Sequence, residues 1–344
     1  MRAMLEAGHQ VTFIAPFERF GVPLPTEVDG LRGVSVPRAE GRQRISALHA
    51  VRAAVREHAV GKDILLMHDP ELVLALARLK GLPPVVWDVH EDTAATMSLK
   101  PWLPKPLRPF GMRLAKFIER YAESHYHLLL ADDGYRENFR TPHPVVPNTT
   151  YVPSQVRPPG DDRVVYVGHL TKARGAEEMI EVGRQVKDTV RVDLVGDADC
   201  ATRPLLEKAH AEGSVRWHGF LPNEKALELT EGAMAGLSLR HDEDNYRNSW
   251  ATKVIEYMAC GIPSVSTPTP PAPQIVAEHQ AGIIVDFGDV AAAAAAVLKL
   301  HADPDLRTEM GKRGHQAALA EYAWPAHAED FLRQLTKWAA QAKV

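Results

Sequence analysis

The chain has 344 residues and a formal net charge of −4 at neutral pH, which allows two α/β domains that each bury a core. A slightly acidic chain lacks the basic face with which general nucleic-acid-binding proteins contact phosphates, so we expect no nucleic-acid partner. Two cysteines provide no disulfide framework, and no apolar run reaches the roughly 20 residues that span a bilayer, so we predict a cytoplasmic protein.

The first half of the chain alternates short apolar runs with helical patterns. The apolar runs predict strands at 9–15, 64–67, 85–89 and 127–131, and the periodic segments predict helices at 45–59, 71–79 and 107–123. Apolar strands separated by helices are typical of a parallel sheet that is covered on both faces. We therefore predict a Rossmann-like domain over residues 1–155.

A segment rich in proline, glycine and charge, Val152–Asp162, predicts a linker. The alternation then restarts, with strands predicted at 164–167, 190–195, 215–217, 236–239, 264–266 and 283–285. This pattern predicts a second Rossmann-like domain over residues 156–325. Two such domains facing each other would bring the carboxyl ends of both sheets to a central cleft, where open α/β sheets bind ligands.

The stretch from Asn245 to Thr267 combines a polar loop, a helix, a Gly-x-Pro turn and a strand. The helix start offers free backbone N–H groups to an anion, and Lys253 adds a positive charge there. Glu256, about one turn later, can accept hydrogen bonds from the two hydroxyls of a ribose. An ordinary helix with a solvated Lys–Glu pair has the same spacing, and the spacing alone favours neither interpretation.

The residues that follow have a more specific pattern. Glu256-Tyr-Met-Ala-Cys-Gly-Ile-Pro-Ser-Val265 resembles the Glu-Ala-Met-Ala-Cys-Gly-x-Pro-Val-Val motif of the retaining GT-B glycosyltransferases, glycosyltransferase family 4. Many members carry another Glu eight residues earlier, where this chain has Asn248. The resemblance implies that Asn248 faces the hydroxyls of the donor sugar, and that Ser249, Thr252, Lys253 and Glu256 bind the nucleotide end of the donor.

A second segment, Val165-Tyr-Val-Gly-His-Leu-Thr-Lys-Ala-Arg-Gly175, resembles the family motif Val-Gly-Arg-Leu-x-x-x-Lys-Gly, whose Arg and Lys bind the donor diphosphate. His169 stands at the Arg position and Arg174 at the Lys position. Arg174 keeps the charge and can contact phosphate through two nitrogens. His169 is mostly neutral near pH 7, so a simple turn residue is an equal alternative.

A third segment, Val86-Trp-Asp-Val-His-Glu-Asp92, resembles a strand of the first domain that ends in Asp-x-His-Glu. The resemblance implies that His90 and Glu91 orient the acceptor and the donor sugar; the alternative is a turn histidine bonded to backbone. His68, at the end of the preceding strand, is predicted to line the same cleft. Asp69 precedes a proline and is predicted mainly to cap a helix.

The resemblance implies a retaining glycosyltransferase that moves a hexose from a nucleotide-sugar donor to an acceptor hydroxyl, in the synthesis of a glycan, glycolipid or glycosylated metabolite. It implies no further cofactor and no metal, because cationic side chains supply the positive charge. A nucleotide-sugar 2-epimerase and a non-catalytic GT-B partner subunit are the alternatives. The donor base, the sugar and the acceptor are not identified by these residues.

Both ends of the chain carry further expectations from the resemblance. The sequence begins inside the helix that follows the family's first strand, which implies that the first strand of the N-terminal domain is missing. Either Met1 lies downstream of the natural start, the interpretation favoured by the intact remaining pattern, or this form of the protein is damaged. The final helix, at 326–344, is expected to pack back on the first domain. Residues 100–117 mix basic and large apolar side chains. This pattern is compatible with peripheral contact with an anionic membrane that holds a lipid-linked acceptor, but it favours a loop and a helix whose basic side faces water.

Overall fold

The computed structural model describes residues 1–20, 24, 28–39, 41–99, 105–147, 149–243, 246 and 251–341. The chain divides into two compact units. Unit 1 comprises Met1–Pro147 and His327–Val344, and unit 2 comprises Asn148–Ala326. The segment predicted to be a linker lies in unit 2, where the carbonyl of Pro153 is 2.7 Å from His315 Nε2. The end of the chain belongs to unit 1.

Over the described residues, the strands of unit 1 form two parallel sheets. One pairs β1 (Val11–Ala15) with β2 (Leu31–Ser35), and the other has the order β3 (Leu65–Met67), β4 (Val85–Val89) and β5 (His127–Leu130). The helices of this unit are α1 (Arg2–Glu6), α2 (Arg44–His58), α3 (Pro70–Leu76), α4 (Thr93–Leu99) and α5 (Arg108–His125). The last helix of the chain, Trp324–Gln341, buries Phe331, Leu335 and Trp338.

Strand β4 is buried along its whole length, as expected for the central strand of a parallel sheet that is covered on both faces. Trp87 is completely buried in its core, and its indole N–H donates to the carbonyl of His68 at 3.0 Å. This bond fixes the ends of β3 and β4 beside each other. The polar residues that follow these two strands are therefore held at one edge of the sheet.

Unit 2 contains, in the described residues, one parallel sheet with the order β11-β10-β9-β6-β7-β8. Its strands are β6 (Arg163–Val167), β7 (Arg191–Val195), β8 (Arg216–Trp217), β9 (Ala235–Ser238), β10 (Ser264–Ser266) and β11 (Gly282–Ile284). Its helices are α6 (Ala176–Val186), α7 (Arg203–Ala211), α8 (Asn223–Thr230), α9 (Thr252–Ala259), α10 (Ala272–His279), α11 (Val290–Ala302) and α12 (Pro304–Ala317), and the final helix of the chain is α13. The predicted α/β fold with parallel sheets is confirmed.

Helix α9 is locked onto strand β9 by one aromatic side chain. The ring of Tyr257 fills the space beside Gly236, where an added β-carbon would lie 2.3 Å from the ring. Its hydroxyl donates to the carbonyl of Leu237 at 2.8 Å. Because Tyr257 is fixed in this way, the residues at the start of α9 are held at the carboxyl edge of the sheet, where ligands of open α/β sheets bind.

Among the described residues, no helix combines the length and the apolar character that crossing a membrane would require.

Candidate functional site

Two tight glycine turns shape the carboxyl edge of the sheet in unit 2. Gly168 follows β6 and Gly196 follows β7, with φ angles of 154° and 137°. A β-carbon at Gly196 would lie 1.9 Å from the carbonyl oxygen of Gly168, so only glycine permits the two turns to approach so closely. The first of these turns lies beside Lys253, which is described next.

Lys253 and Glu256 form an ion pair on the side of α9 that faces away from the core. Lys253 Nζ lies 2.5 Å from Glu256 Oε2, and the two side chains are 16% and 39% exposed. Lys253 Cε would lie 3.5 Å from a β-carbon added at Gly168, which places it beside the turn after β6. The lysine is thus mostly enclosed, unlike the lysine of an ordinary solvated pair.

Arg174 ends a 3₁₀ turn, Lys172–Arg174, that packs against the end of β9. A β-carbon at the next residue, Gly175, would lie 1.9 Å from the carbonyl of Leu239, and the N–H of His241 donates to the carbonyl of Ala173 at 3.0 Å. Burial alone would lower the pKa of the Arg174 guanidinium, but the nearby side chains of Tyr166 and Tyr246 raise it. These contacts hold its charge at the carboxyl edge of the sheet.

Arg240, which follows β9, is a second arginine at this edge and was not identified from the sequence. Burial lowers the pKa of Arg240, and the positive charge of nearby Arg174 lowers it further. Its guanidinium lies 4.9 Å from the ring centre of Tyr246, within range of a cation–π interaction. An arginine directly after a buried strand, shortly before the α9 motif, is the sequence signal that marks it.

Arg240 and Lys253 line the same small pocket, together with three hydroxyl-bearing side chains: Ser238, Ser266 and Thr269. The Thr269 hydroxyl is buried and has no hydrogen-bond partner among the described residues. Two neighbouring cations disfavour each other in a partly buried site, whereas an anion between them would stabilise both. We call Arg174, Arg240 and Lys253 the cationic cluster.

His169 has the contacts of a turn residue. Its side chain is exposed, and its carbonyl accepts a hydrogen bond from Tyr166 at 3.1 Å. Burial alone would raise the pKa of Asp197, but the N–H of Ala198, then Arg203, then the charge of His169 lower it. The imidazole therefore lies near the carboxylate of Asp197, and its role as a phosphate ligand stays a prediction.

Three further residues were predicted to act around the start of α9, and one of them lies among the described residues. Thr252 is the first residue of α9, so its backbone N–H is one of the free donors at the helix start. Asn248 and Ser249 lie outside the described residues, and their roles stay predictions.

In unit 1, a buried carboxylate joins two histidines at the ends of β3 and β4. Asp88 Oδ2 lies 2.9 Å from His90 Nε2 and 3.3 Å from His68 Nδ1. Burial alone would raise the pKa of Asp88, but hydrogen bonds from His68 and His90 lower it. For His90, burial alone would lower the pKa, and the bond to Asp88 raises it. The sequence pointed to both histidines but not to the aspartate that orients them.

Two acidic residues near these histidines, Glu91 and Asp69, have different contacts. The Glu91 carboxylate accepts a hydrogen bond from the Thr96 hydroxyl at 3.3 Å, at the start of α4. Asp69 occupies the N-cap position of α3 with proline next to it, but its side chain makes no capping hydrogen bond. The predicted capping role of Asp69 is therefore wrong in this respect, because its carboxylate instead lies close enough to His90 to raise that pKa.

Comparison with known proteins identifies a family for the part of the chain that contains the cationic cluster. Residues 148–317 match the family of glycosyl transferases group 1. An N-acetyl-alpha-D-glucosaminyl L-malate synthase of Bacillus anthracis is 24% identical over 46% of this chain and 41% of its own length. An alpha-maltose-1-phosphate synthase of Mycolicibacterium smegmatis is 23% identical over 73% of each. The chain thus spans less than half the length of the first of these relatives.

Solved structures share the fold. A sucrose-phosphate synthase from Thermosynechococcus elongatus has a TM-score of 0.75 at 17% identity, covering 98% of this chain and 91% of that one. Anabaena Alr3699/HepE, in a complex with UDP and glucose, has a TM-score of 0.68 at 15% identity, covering 93% and 88%. The family match over residues 148–317 and these structures together support a group 1 glycosyltransferase with the GT-B fold.

Proposed function

We propose that the protein is a retaining glycosyltransferase that transfers a hexose from a nucleotide-sugar to an acceptor hydroxyl. The observation that carries this proposal is the cationic cluster at the carboxyl edge of the sheet in unit 2, within the segment that matches the family. The diphosphate of a nucleotide-sugar has the charge that such a cluster binds. The related Alr3699/HepE structure, which contains UDP and glucose, makes UDP-glucose the first donor to test.

In this proposal the cluster stabilises the leaving group. As the bond between sugar and diphosphate breaks, negative charge grows on the diphosphate, and cations that are already in place stabilise it without rearrangement. Arg174 and Arg240 can each offer two N–H groups to phosphate oxygens. The first backbone N–H groups of α9, with Thr252 and Ser249, would add neutral donors.

Glu256 is assigned to the ribose of the donor. Its carboxylate is paired with Lys253 at 2.5 Å. A bound nucleotide would supply phosphate oxygens to Lys253 and two ribose hydroxyls to Glu256, so each member of the pair would gain a partner of the right polarity. The ion pair thus keeps both side chains oriented before the donor binds.

We assign His90, Glu91 and Asn248 to the orientation of the sugar and the acceptor, and none of them to a covalent intermediate. His90 is oriented by the 2.9 Å contact with Asp88, and Glu91 by its bond to Thr96. Asn248, a neutral residue, would donate and accept hydrogen bonds to sugar hydroxyls.

We also propose that α5 lies on an anionic lipid surface, where a lipid-linked acceptor would be found. Phe110, Leu114 and Phe117 share one face of this helix and are 69%, 41% and 58% exposed. A basic row, Arg113, Lys116 and Arg120, runs beside them. An apolar stripe with a basic border is typical of helices at a membrane interface. Residues 100–104 of the predicted contact segment lie outside the described residues.

The reaction can be tested by NMR with UDP-, GDP- and ADP-linked hexoses, each with and without a panel of hydroxyl acceptors. We expect a glycoside with the same anomeric configuration as the donor, and slow hydrolysis or no reaction when the acceptor is omitted. An inverted product would contradict retention. Formation of the C2 epimer without an acceptor would instead identify the protein as a 2-epimerase.

A further inference from the structure

The side chains of His68, Asp88 and His90 bring three metal-binding atoms together in unit 1. Each offers one ligand atom, and the three atoms lie within 4.8 Å of one another. They come from the adjacent ends of β3 and β4, two strands paired in parallel. We propose that these residues form a site for a divalent transition-metal ion, with Zn²⁺ as the best chemical match.

The spacing of the three atoms fits such an ion. Zinc binds imidazole nitrogen and carboxylate oxygen at about 2.0–2.2 Å in tetrahedral geometry, so its ligand atoms lie roughly 3.3–3.5 Å apart. Asp88 Oδ2 lies 3.3 Å from the nitrogen of His68 and 2.9 Å from that of His90. The two histidine nitrogens lie within 4.8 Å of each other, and rotation of the partly exposed imidazole rings towards the ion would bring them closer.

The backbone of both histidines is held in place by buried aromatic residues. The Trp87 indole N–H donates to the carbonyl of His68 at 3.0 Å, and the Tyr135 hydroxyl donates to the carbonyl of His90 at 3.0 Å. Rigid support of this kind matters for a metal site, because ligands that are held in position lose little freedom on binding.

The local charge also favours a dication. Besides Asp88, the carboxylates of Asp69 and Glu91 lie near His90, and they outnumber the N-terminal ammonium group of Met1, which lies near Asp88. The side chain of Asp88 is only 10% exposed, whereas those of His68 and His90 are 54% and 35% exposed. An ion bound here would be anchored from the protein side by Asp88 and would keep a coordination position open towards solvent.

The same contacts can arise without a metal, when a carboxylate accepts hydrogen bonds from two histidines. The two arrangements differ in one respect: hydrogen bonding needs a proton on each facing nitrogen, whereas a metal needs a lone pair there. Metal binding therefore decides between them, and it does so independently of the transfer reaction.

The experiment is a titration of the chelator-treated full-length protein with Co²⁺, followed by visible absorption, and then displacement by Zn²⁺. We expect one equivalent of Co²⁺ to bind with the absorption of a tetrahedral site. The His68→Ala and Asp88→Asn variants should each weaken binding at least tenfold. Circular dichroism checks that the variants are folded, and His68→Ala, at the most exposed of the three positions, keeps the test valid if the Asp88 variant does not fold.

The chain has 16 histidines, so unspecific binding needs a matched control. His241 in unit 2 also pairs with a carboxylate, with Nε2 at 2.9 Å from Glu178 Oε1, and His241→Ala should bind Co²⁺ as the wild type does. The proposal is overturned if the wild type binds no more tightly than His68→Ala, or if His241→Ala loses the same affinity.

Discussion

Arg240 shows how a single residue outside the motifs recognised in the sequence can belong to the proposed phosphate site. It comes after β9, while Arg174 lies in the turn after β6, and the two arginines meet only because β9 and β6 are neighbours in the sheet. The positive charge of each guanidinium disfavours the charged form of the other, and an anion bound nearby would offset this repulsion. In the proposed function, the diphosphate of the donor would supply that anion.

Replacing Arg240 by Gln should reduce the stabilisation of the protein by UDP. A charge-assisted hydrogen bond contributes about 1.5–3 kcal/mol, which corresponds to a roughly tenfold or larger loss in affinity. We expect UDP to raise the unfolding temperature of the wild type, and a much higher UDP concentration to be needed for the same rise in Arg240→Gln.

Arg184→Gln is the matched control, because Arg184 is a surface arginine paired with Glu181 and Glu212. This variant should respond to UDP as the wild type does. An Arg240→Gln protein with an unchanged response would place the diphosphate away from the cationic cluster.

At the scale of a single element, α5 combines a buried acidic residue with an exposed apolar stripe. Glu119 is buried, 3.3 Å from Lys116, and burial raises the pKa of its carboxyl group to about 6. A carboxyl whose pKa is higher in the folded state than in the unfolded state stabilises the fold at low pH. This contribution is complete below about pH 4.5 and is lost as the pH rises through 6.

The Glu119→Gln variant should lack this pH dependence. A shift of this size corresponds to about 2 kcal/mol, so the free energy of unfolding of the variant should gain about that much relative to the wild type between pH 4.5 and pH 7.5. Urea unfolding at a series of pH values measures the difference. A difference that does not change with pH would show that the pKa of Glu119 is the same in the folded and the unfolded protein.

The exposed stripe of α5 should support binding to anionic vesicles. We expect the protein to sediment with vesicles of phosphatidylcholine and phosphatidylglycerol, less so at high salt, and weakly with phosphatidylcholine alone, because the basic row attracts anionic lipid. Phe110→Ser with Phe117→Ser should remove most of this binding.

Phe220→Ser provides a control at an exposed phenylalanine of unit 2, which is 59% exposed. Equal binding by all three proteins would leave α5 as a helix whose basic and apolar sides simply face water.

At the scale of the whole molecule, the sequence predicted most of the fold because the strands are continuous apolar runs separated by helices. It also predicted Lys253 and Glu256 as neighbours, since residues three apart in a helix share a face. It did not predict the grouping of Arg240 with Lys253, or of Asp88 with His68. These pairs depend on which strands lie next to each other in the sheets. In addition, Asp88 lies within the strand Val85–Val89, whose other residues are apolar and buried.

His169 and Asp69 illustrate a second limit. Their positions in the sequence suggested a phosphate ligand and a helix cap, but each role depends on where a short side chain points within a turn. In the structure the side chain of His169 lies near the carboxylate of Asp197. Asp69 lies near His90, and its side chain makes no hydrogen bond to the start of α3. A motif position therefore identifies the turn more reliably than it identifies the contacts of its side chain.

The most direct test of the account is a calorimetric titration of UDP-, GDP- and ADP-linked glucose into the wild type, Lys253→Ala and Lys208→Ala. Lys208 is 70% exposed and pairs with Glu212, so it matches Lys253 in chemistry but lies on the surface helix α7. We predict that one of these donors binds the wild type and Lys208→Ala equally, and binds Lys253→Ala at least tenfold more weakly. Equal binding by Lys253→Ala, or no binding of any donor to the wild type, would contradict a nucleotide-sugar site at the cationic cluster.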